Sequence, residues 1–549
     1  MSAPSRQRHP LPAVITAALI ALASLQIAST HRVYSQTIDE ALHVATGLEW
    51  LQRGSYTLQP ENPPLSRIAI ALGPHLAGLK AIDSPPEQRR LLHSTGAYRD
   101  ILARARAGTL IFFIAAAAIV FFWTRQLFDV WTAGVACGLF ATLPPILAHS
   151  GLATTDMAAT ATVCAAFFAL ARWLDRPTGS RAALLGLAIG LALASKFSAY
   201  LFLCSGGFLL TLVWRLAPSK MRIDPRARTS GLIGAVGVAA LVVWAVYRFS
   251  IGPVLTAADR PHRFIDSLVT ENSHGQRGAY QIIEASYPAP EHWHGLERLR
   301  SHSARGHRSY LLGESYPNGH PAFFPIALMV KTPLPFLALC VIGMATIARS
   351  RDWAKWAPAL AAVTILAAVL PSTISIGLRH VLPIYPLLSI VAGAGAVRLW
   401  RSRRSPLWTR LLVVTLLAWQ GFSTSTAHPD YLPWFNALAG KQPEKILIDS
   451  DLDWGQDLLR LEEELARREI ESVSLALFTS ARLDSFNFPS FRELGPGEQA
   501  GGWVAASLMR IKGWRDHAWL ESHQPVARVG ASILLYHLPP LEPSQEATP

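Results

Sequence analysis

Long apolar stretches constrain the fold of this chain more than any other feature. A membrane-spanning helix needs about 20 mostly apolar residues, and the sequence contains eleven stretches of roughly that length. They lie at 11–29, 107–124, 131–148, 156–174, 181–195, 198–216, 229–247, 321–348, 356–372, 380–398 and 409–426. Only 16% of the residues are charged, against about 25% in soluble proteins. The sequence therefore predicts an α-helical polytopic membrane protein with about 11 transmembrane helices and excludes a soluble cytoplasmic enzyme.

Positive charges are distributed unevenly between the predicted loops. With the amino terminus inside, the inner loops carry many arginines and lysines, whereas the short outer turns carry only Lys196 and Arg379. This asymmetry follows the positive-inside rule and accounts for much of the net charge of +13 without a nucleic-acid partner. It predicts a multi-pass protein of the cytoplasmic (inner) membrane, with its long polar regions outside. A shorter apolar stretch, Ile68–Lys80, suits an interfacial or re-entrant helix.

The polar regions suggest a division of the chain. We expect a membrane domain over 1–426 with outer loops at 30–106 and 250–319, a small extracytoplasmic α/β domain over 427–538, and a flexible tail over 539–549. The C-terminal region carries a helical pattern at Gln456–Arg468. Strand patterns occur at Lys445–Asp449, Val473–Phe478, Val504–Ile511 and Ala531–Leu538.

Acidic residues mark the outer ends of two predicted spans. Asp39 and Glu40 follow the first span, and Asp156 begins the fourth. Neighbouring carboxylates can act as a general base toward a hydroxyl group or bind a divalent ion such as Mg²⁺ or Mn²⁺ through oxygen ligands. The alternative is a set of water-facing helix caps. The residue pattern alone leaves both interpretations open.

Cationic residues also lie toward the outer ends of spans. Lys331 is about ten residues inside an apolar stretch, about 15 Å along a helix, while Arg379 and His380 lie at the start of another span. A charge at that depth needs a carboxylate or phosphate partner. The alternative for a lysine is to extend its amine to the interface.

The densest acidic cluster runs from Asp449 to Asp457. Its first three acids imitate a calcium-binding loop, but Gly455 comes one place late and Arg460 occupies the position of the bidentate glutamate, so an EF-hand is excluded. An acid-lined helix start and a substrate-facing role both remain open. The chain also lacks the glycine-rich motifs of nucleotide sites, so no nucleotide cofactor is expected.

Together, these blocks resemble the polyprenyl-phosphate-dependent glycosyltransferases of the membrane-embedded C superfamily. The similarity is to glycosyltransferase family 39-like proteins, which include protein O-mannosyltransferases and lipid A aminoarabinose transferases. The matching segments are Asp39–Glu40 through Pro63–Leu65, Thr155–Asp156, Lys331–Pro335, Gly377–Pro383 and Asp449–Gln456. No long insertion resembling a β-trefoil module is visible, so a protein acceptor is not implied.

The resemblance implies transfer of a hexose or pentose from a polyprenyl-phosphate carrier to an acceptor hydroxyl or phosphate on the outer face. It implies Asp39 as general base, Glu40 as its neighbour in the catalytic site, and Asp156 as a second acid that organises the site or, with Asp39, a metal. Substrate-binding roles are expected for a further set of residues: His43, Lys331, Arg379 and His380.

The expected partners are a lipid-linked sugar donor, membrane lipids and an outer acceptor that is a lipid, a glycan or a protein. No nucleic acid is expected. A transporter or lipid flippase is the main alternative, and a membrane scaffold is a third. Transporters usually place charges near the membrane midplane between repeated halves, whereas here the charges gather at one face and no repeat is visible.

Overall fold

A computed structural model of the chain describes residues 11–84, 87–217, 225–254, 284–403 and 406–540. Part of the predicted outer loop, 255–283, and most of the predicted tail, 541–549, lie outside the described residues. Within the described ranges the helices α1–α19 are Leu11–Thr30, Glu40–Arg53, Pro64–Leu76, Gln88–Leu91, Tyr98–Ala107, Leu110–Leu127, Val130–Ala141, Pro144–Ser150, Asp156–Asp175, Gly179–Leu193, Ser198–Leu216, Pro225–Val246, Pro290–Arg305, Phe323–Lys331, Leu334–Ile347, Trp353–Val369, Ile384–Trp400, Pro406–Ala427 and Leu458–Arg467.

The helices form a membrane bundle. Among the described residues, 5 helices are long and apolar enough to cross a membrane, or up to 7 if each bent helix pair counts as one span. Three shorter apolar helices, α10, α16 and α17, add to the bundle. Each of the predicted apolar stretches coincides with one helix or one bent pair. The prediction of a multi-pass, mainly helical membrane protein is thereby confirmed. Helices can cross lipid because all their backbone polar groups are hydrogen-bonded within the helix.

Two predicted spans are broken rather than straight. Helices α7 and α8 meet at 66°, and α14 and α15 meet at 111°. Prolines begin the second helix of each pair, at Pro144 and next to Pro333. Proline lacks a backbone N–H and disfavours helical geometry in the residue before it, so the helix ends there. Lys331 consequently lies at the end of a short helix, not deep within a long one as the sequence suggested.

Helix α17 lies at the centre of the bundle, and glycines allow its neighbours to approach closely. A Cβ atom added at Gly393 would lie 2.7 Å from the Cβ of Ala136 on α7. One added at Gly395 would lie 2.6 Å from the backbone nitrogen of Gly343 on α15. Small residues at such positions permit backbone contact between membrane helices.

The longer segments between the membrane helices pack against one another and against the C-terminal region, and we call this part of the protein the loop side. It contains α2, α3, α5 and α13, together with two small antiparallel sheets of two strands each. One sheet pairs β1 with β2 and the other pairs β3 with β4, at Ile251–Pro253, Ser286–Pro288, Ser309–Leu311 and Glu314–Tyr316. Helix α3 covers the stretch for which an interfacial or re-entrant helix was predicted.

The C-terminal region adds a five-stranded mixed sheet to the loop side. Strands β5–β9 are Ser472–Ala476, Ser490–Glu493, Gly502–Ser507, Ala527–Val529 and Ile533–Leu538, in the order β6-β5-β7-β9-β8. Strand β5 pairs in parallel with β6 and β7, and β9 pairs antiparallel with β7 and β8. Helix α19 packs its leucines against the sheet. The helix and three of the four strands predicted for this region are therefore present.

The strand predicted at Lys445–Asp449 is wrong. The segment carries two short 3₁₀ turns instead, and Asp449 has a left-handed backbone with φ of 43°. Leu447 and Ile448 are nevertheless buried, at 0% and 2% exposure. Burial in a loop and burial in a strand leave the same apolar signature in a short segment, so periodicity could not distinguish them.

Candidate active site

An ion pair joins the first acidic motif to the cationic motif before α17. Asp39 lies immediately before α2, and its Oδ2 atom is 2.6 Å from Nη1 of Arg379. The Asp39 side chain is 31% exposed, whereas that of Arg379 is 11% exposed. The structure thus brings together two predicted site residues that are distant in sequence and leaves the carboxylate accessible.

A second ion pair lies beside the first. Asp156 is the first residue of α9, and its Oδ1 atom accepts a hydrogen bond of 2.6 Å from Nζ of Lys196. The Asp156 side chain is only 1% exposed, and its Oδ2 atom has no hydrogen-bond partner among the described residues. Its charge acts on both Asp39 and Arg379. Two carboxylates and two cationic side chains therefore lie together in one small region of the loop side.

The environment of Asp39 keeps its carboxylate ionised. Burial alone would raise the pKa of Asp39, but the charge of Arg379 and its hydrogen bond to the carboxylate outweigh this effect and hold the pKa below its usual range. The group is therefore charged at neutral pH, which is the form that a general base requires. Stability and activity that depend on the charged form would be lost only as the pH falls through this lowered pKa.

Glu40 has a different environment from its neighbour. Its two oxygens accept hydrogen bonds of 2.8 and 2.7 Å from Arg106 and of 2.8 Å each from the backbone amides of Ala153 and Thr37. Both side chains of the ion pair are 0% exposed. With every oxygen occupied and no route to solvent, Glu40 ties α2 to α5 and to the start of α9. Arg106, which the sequence analysis did not single out, is its partner.

His43 is held in one tautomer. Its Nδ1 atom accepts a 3.0 Å hydrogen bond from Nε of Arg67, so the ring proton is on Nε2. Burial, followed by the charge of Arg67, lowers the pKa of His43 to about 3. Arg67 is itself 0% exposed and also contacts Gln59, Tyr56 and the carbonyl of Asn62. His43 is therefore a neutral hydrogen-bond donor near the carboxylates of Asp39 and Asp156.

His380 follows Arg379 in the turn before α17. Its Nε2 atom is buried and has no hydrogen-bond partner among the described residues. Burial and the charges of Lys196 and Arg379 hold its pKa well below the usual value. A neutral imidazole at this position can donate to or accept from a bound group, but it does not add a permanent positive charge.

Lys331 does not join the two ion pairs. Its Nζ atom donates hydrogen bonds of 2.7 Å to the carbonyl of Leu432 and 2.8 Å to the carbonyl of Asp451, and it lies 4.2 Å from the ring centre of Phe435. The residue is 3% exposed. Its amine is therefore directed at protein groups in this structure, and the expected contact of Lys331 with a substrate phosphate stays a prediction. The bend after α14, which the hydropathy pattern did not reveal, places it there.

The acidic cluster Asp449–Asp457 acts as a structural junction. Asp451 accepts from the amide of Leu378 at 3.1 and 3.2 Å, and Asp453 accepts from the amide of Met509 at 2.7 Å. Asp457 is likewise engaged within the C-terminal sheet, by Ser532 and its neighbours. The cluster thus links the turn before α17 with the C-terminal region.

Trp454, within this cluster, was not singled out by the sequence. Its ring lies 4.2 Å from the guanidinium carbon of Arg379 and is 1% exposed. A tryptophan face is the strongest aromatic partner for a cation. The only sequence signal was an aromatic residue within a run of acids.

The arrangement does not fit a resident divalent metal. Asp39 and Asp156 are each already neutralised by a contacting cationic side chain, which opposes the further binding of a cation. The described part of the chain also contains no group of three or more His, Cys, Asp or Glu residues placed to hold an ion. The metal that the sequence suggested for these two acids therefore stays a prediction without a complete set of ligands among the described residues.

Comparison with known proteins agrees with this architecture. Residues 101–247 match the sequence profile of the family described as dolichyl-phosphate-mannose-protein mannosyltransferase. No curated protein sequence matches the chain. Similar folds occur among solved structures, at 10–12% sequence identity.

Three of these structures illustrate the similarity. ArnT from Cupriavidus metallidurans bound to undecaprenyl phosphate has 12% identity and a TM-score of 0.51, over 94% of this chain and 97% of that one. The archaeal oligosaccharyltransferase AglB from Archaeoglobus fulgidus, with an inhibitory peptide and dolichol-phosphate, has 12% identity and a TM-score of 0.50, over 92% and 71%. The protein O-mannosyltransferase complex Pmt1-Pmt2 from S. cerevisiae, bound to its sugar donor, has 10% identity and a TM-score of 0.50, over 77% and 90%.

These matches show that the chain has the fold of such membrane glycosyltransferases, and they confirm the resemblance to the polyprenyl-phosphate-dependent, family 39-like proteins of the C superfamily that its motifs indicated.

Proposed function

We propose that this protein transfers a sugar from a polyprenyl-phosphate carrier to an acceptor hydroxyl or phosphate group at the outer face of the cytoplasmic membrane. The main support for this proposal is the environment of Asp39. Its carboxylate is accessible, is kept ionised by Arg379 and lies beside the Asp156–Lys196 pair. Support for the donor class comes from the relatives of similar fold, which hold undecaprenyl phosphate, dolichol-phosphate or a sugar donor.

In the proposed reaction, Asp39 acts as general base toward an acceptor hydroxyl. As the oxygen bonds to the anomeric carbon, its proton passes to Asp39. The bond from that carbon to the carrier's phosphate oxygen breaks, and its electron pair leaves with the phosphate. A single displacement of this kind inverts the anomeric configuration.

The leaving phosphate gains negative charge, which positioned cations stabilise. Lys196 and Arg379 are the cations next to the two acids, and each can exchange part of its carboxylate contact for a phosphate oxygen. His43 and His380, both neutral, supply hydrogen bonds. Asp156 holds Lys196 in place, and Glu40 and Lys331 act by positioning helices and loops.

The donor class is tested with purified protein in lipid vesicles. We expect free polyprenyl phosphate to be released from a polyprenyl-phosphate-linked sugar when membrane extract is supplied as acceptor. Each donor is offered with and without extract, and the carrier is quantified by mass spectrometry. If no donor releases its carrier under either condition, the transferase function fails, and the same vesicles can then be assayed for transport of the donor across the bilayer.

The outer-face location is a separate prediction. A reporter fused after Pro549 is expected to be active outside the cytoplasm, because an odd number of spans separates the two termini in the predicted topology. The matched control is a fusion after Arg125, in a predicted inner loop. A cytoplasmic C-terminal reporter would contradict the orientation and, with it, access to an outer acceptor.

A further inference from the structure

The segment 449–456 of the C-terminal region lies against the chain on both sides of the Asp39–Arg379 ion pair. On the Asp39 side, the amide of Ile38 donates to the carbonyl of Trp454 at 3.1 Å, and the amide of Ser35 donates to the carbonyl of Gln456 at 2.9 Å. These two bonds fix the backbone directly before Asp39.

On the Arg379 side, the same segment holds the turn that precedes α17. Ser450 Oγ donates to the carbonyl of Ile376 at 2.6 Å, and the carboxylate of Asp451 accepts from the amide of Leu378. The backbone directly before Arg379 is therefore held by the residues that immediately precede Trp454.

The indole of Trp454 completes this arrangement. It covers one face of the Arg379 guanidinium at 4.2 Å, while an edge of the same group contacts Asp39. Nε of Arg379 is buried and has no partner among the described residues. Stacking thus fixes the plane of the guanidinium and leaves a donor unused, which a planar group can direct toward a bound oxyanion.

The loop that presents Trp454 is itself rigidly built. Gln456 accepts from the amide of Trp454 at 2.8 Å and donates to the carbonyl of Leu452 at 2.8 Å. Gly455 has a left-handed φ of 83°, and an added Cβ would lie 2.7 Å from the carbonyl oxygen of Phe478. Glycine is required at this turn for both reasons.

Given the proposed function, we propose that Trp454 is a positioning residue of the transfer site, holding Arg379 in the orientation that keeps Asp39 ionised and presents a donor to the departing phosphate. In this proposal, the C-terminal region contributes a side chain that orients Arg379 in the site. Trp454 touches no reacting atom in this scheme, so its effect passes through Arg379.

The test compares Trp454→Leu with Trp454→Phe in the full-length protein, using the carrier-release assay. Leucine fills apolar space without a ring face, whereas phenylalanine retains one. We expect Trp454→Leu to lower kcat by about 10- to 100-fold, the loss typical of a group displaced by about 1 Å, with a smaller change in KM. Trp454→Phe should remain close to the wild-type protein.

The pH profile separates positioning from general packing. Without a fixed Arg379, the pKa of Asp39 rises, so more of the carboxylate is protonated at a given acidic pH. The acid limb of the kcat/KM profile should therefore move to higher pH in Trp454→Leu and stay in place in Trp454→Phe. The control is Trp503→Ala, at a tryptophan whose ring packs at a tilt against His537 in the C-terminal sheet; this variant should leave the acid limb unchanged.

Several outcomes would overturn this inference. Equal behaviour of the leucine and phenylalanine variants, or a wild-type kcat and acid limb in Trp454→Leu, would show that the ring face has no role. If Trp454→Leu does not fold, Trp454→Met provides the test, because methionine also fills apolar space without a ring face; it must then show the same displaced acid limb. Loss of activity in Asp39→Asn alongside an unaffected Trp454→Leu would reject the positioning role and leave the proposed function standing.

Discussion

Asp39→Asn is expected to reduce sugar transfer by about 100- to 10,000-fold, the usual contribution of a general base, while leaving the protein folded. Asparagine has nearly the same shape and can still accept a hydrogen bond from Arg379, which lies 2.6 Å from the carboxylate. It cannot take a proton from the acceptor. The measurement is carrier release under saturating donor, together with thermal unfolding of the same preparation.

The matched control is Asp83→Asn, the same substitution at another loop-side aspartate. The Asp83 side chain is 86% exposed and pairs with Arg53, so its loss should change neither release nor unfolding temperature. Substantial turnover in Asp39→Asn would remove the base role. Loss of both folding and turnover would instead indicate that the Asp39–Arg379 pair supports the fold.

Glu40→Gln is expected to destabilise the protein strongly. The ion pair with Arg106 is fully buried on both sides, and breaking a buried pair by removing one charge typically costs about 3–5 kcal/mol, because the other charge is left uncompensated. The unfolding temperature and the yield of folded protein should both fall. Activity should fall in proportion to the folded fraction.

The control for this prediction is Asp100→Asn, which breaks an exposed pair with Arg32. Those side chains are 58% and 68% exposed, and exposed pairs contribute about 0–1 kcal/mol. Asp100 lies on the same helix as Arg106, so the comparison isolates burial. A stable but inactive Glu40→Gln protein would return Glu40 to the reaction itself and contradict its structural role.

The positions of the membrane helices could be predicted from the sequence because a helix that crosses lipid requires about 20 mostly apolar residues. The two bends within helix pairs were harder to predict. The apolar pattern continued through Pro144 and Pro333, so each of these two bent helix pairs was predicted as one straight span. Because the helix bends after Lys331, this residue lies at the end of a short helix and not in the middle of a long one.

The candidate site was predictable as a set of charges but not as a set of pairs. Sequence motifs indicated Asp39, Glu40, Asp156 and Arg379, yet the two adjacent acids differ completely in exposure and partners. That difference depends on Arg106, which is 66 positions from Glu40. Only the packed structure brings such distant residues together, and no local pattern records it.

The distance along the chain between the parts of this site also determines when it can form. Asp39 and Arg379 are 340 positions apart, and Ser35 is bonded to Gly455, 420 positions later. Helices can enter the bilayer in order as the chain emerges from the ribosome, but the contacts made by the segment 449–456 can form only after the last membrane helix, α18, has been synthesised. During synthesis, all the membrane helices are therefore made before Trp454 can reach Arg379, and the positioning of that guanidinium is the last part of the site to form.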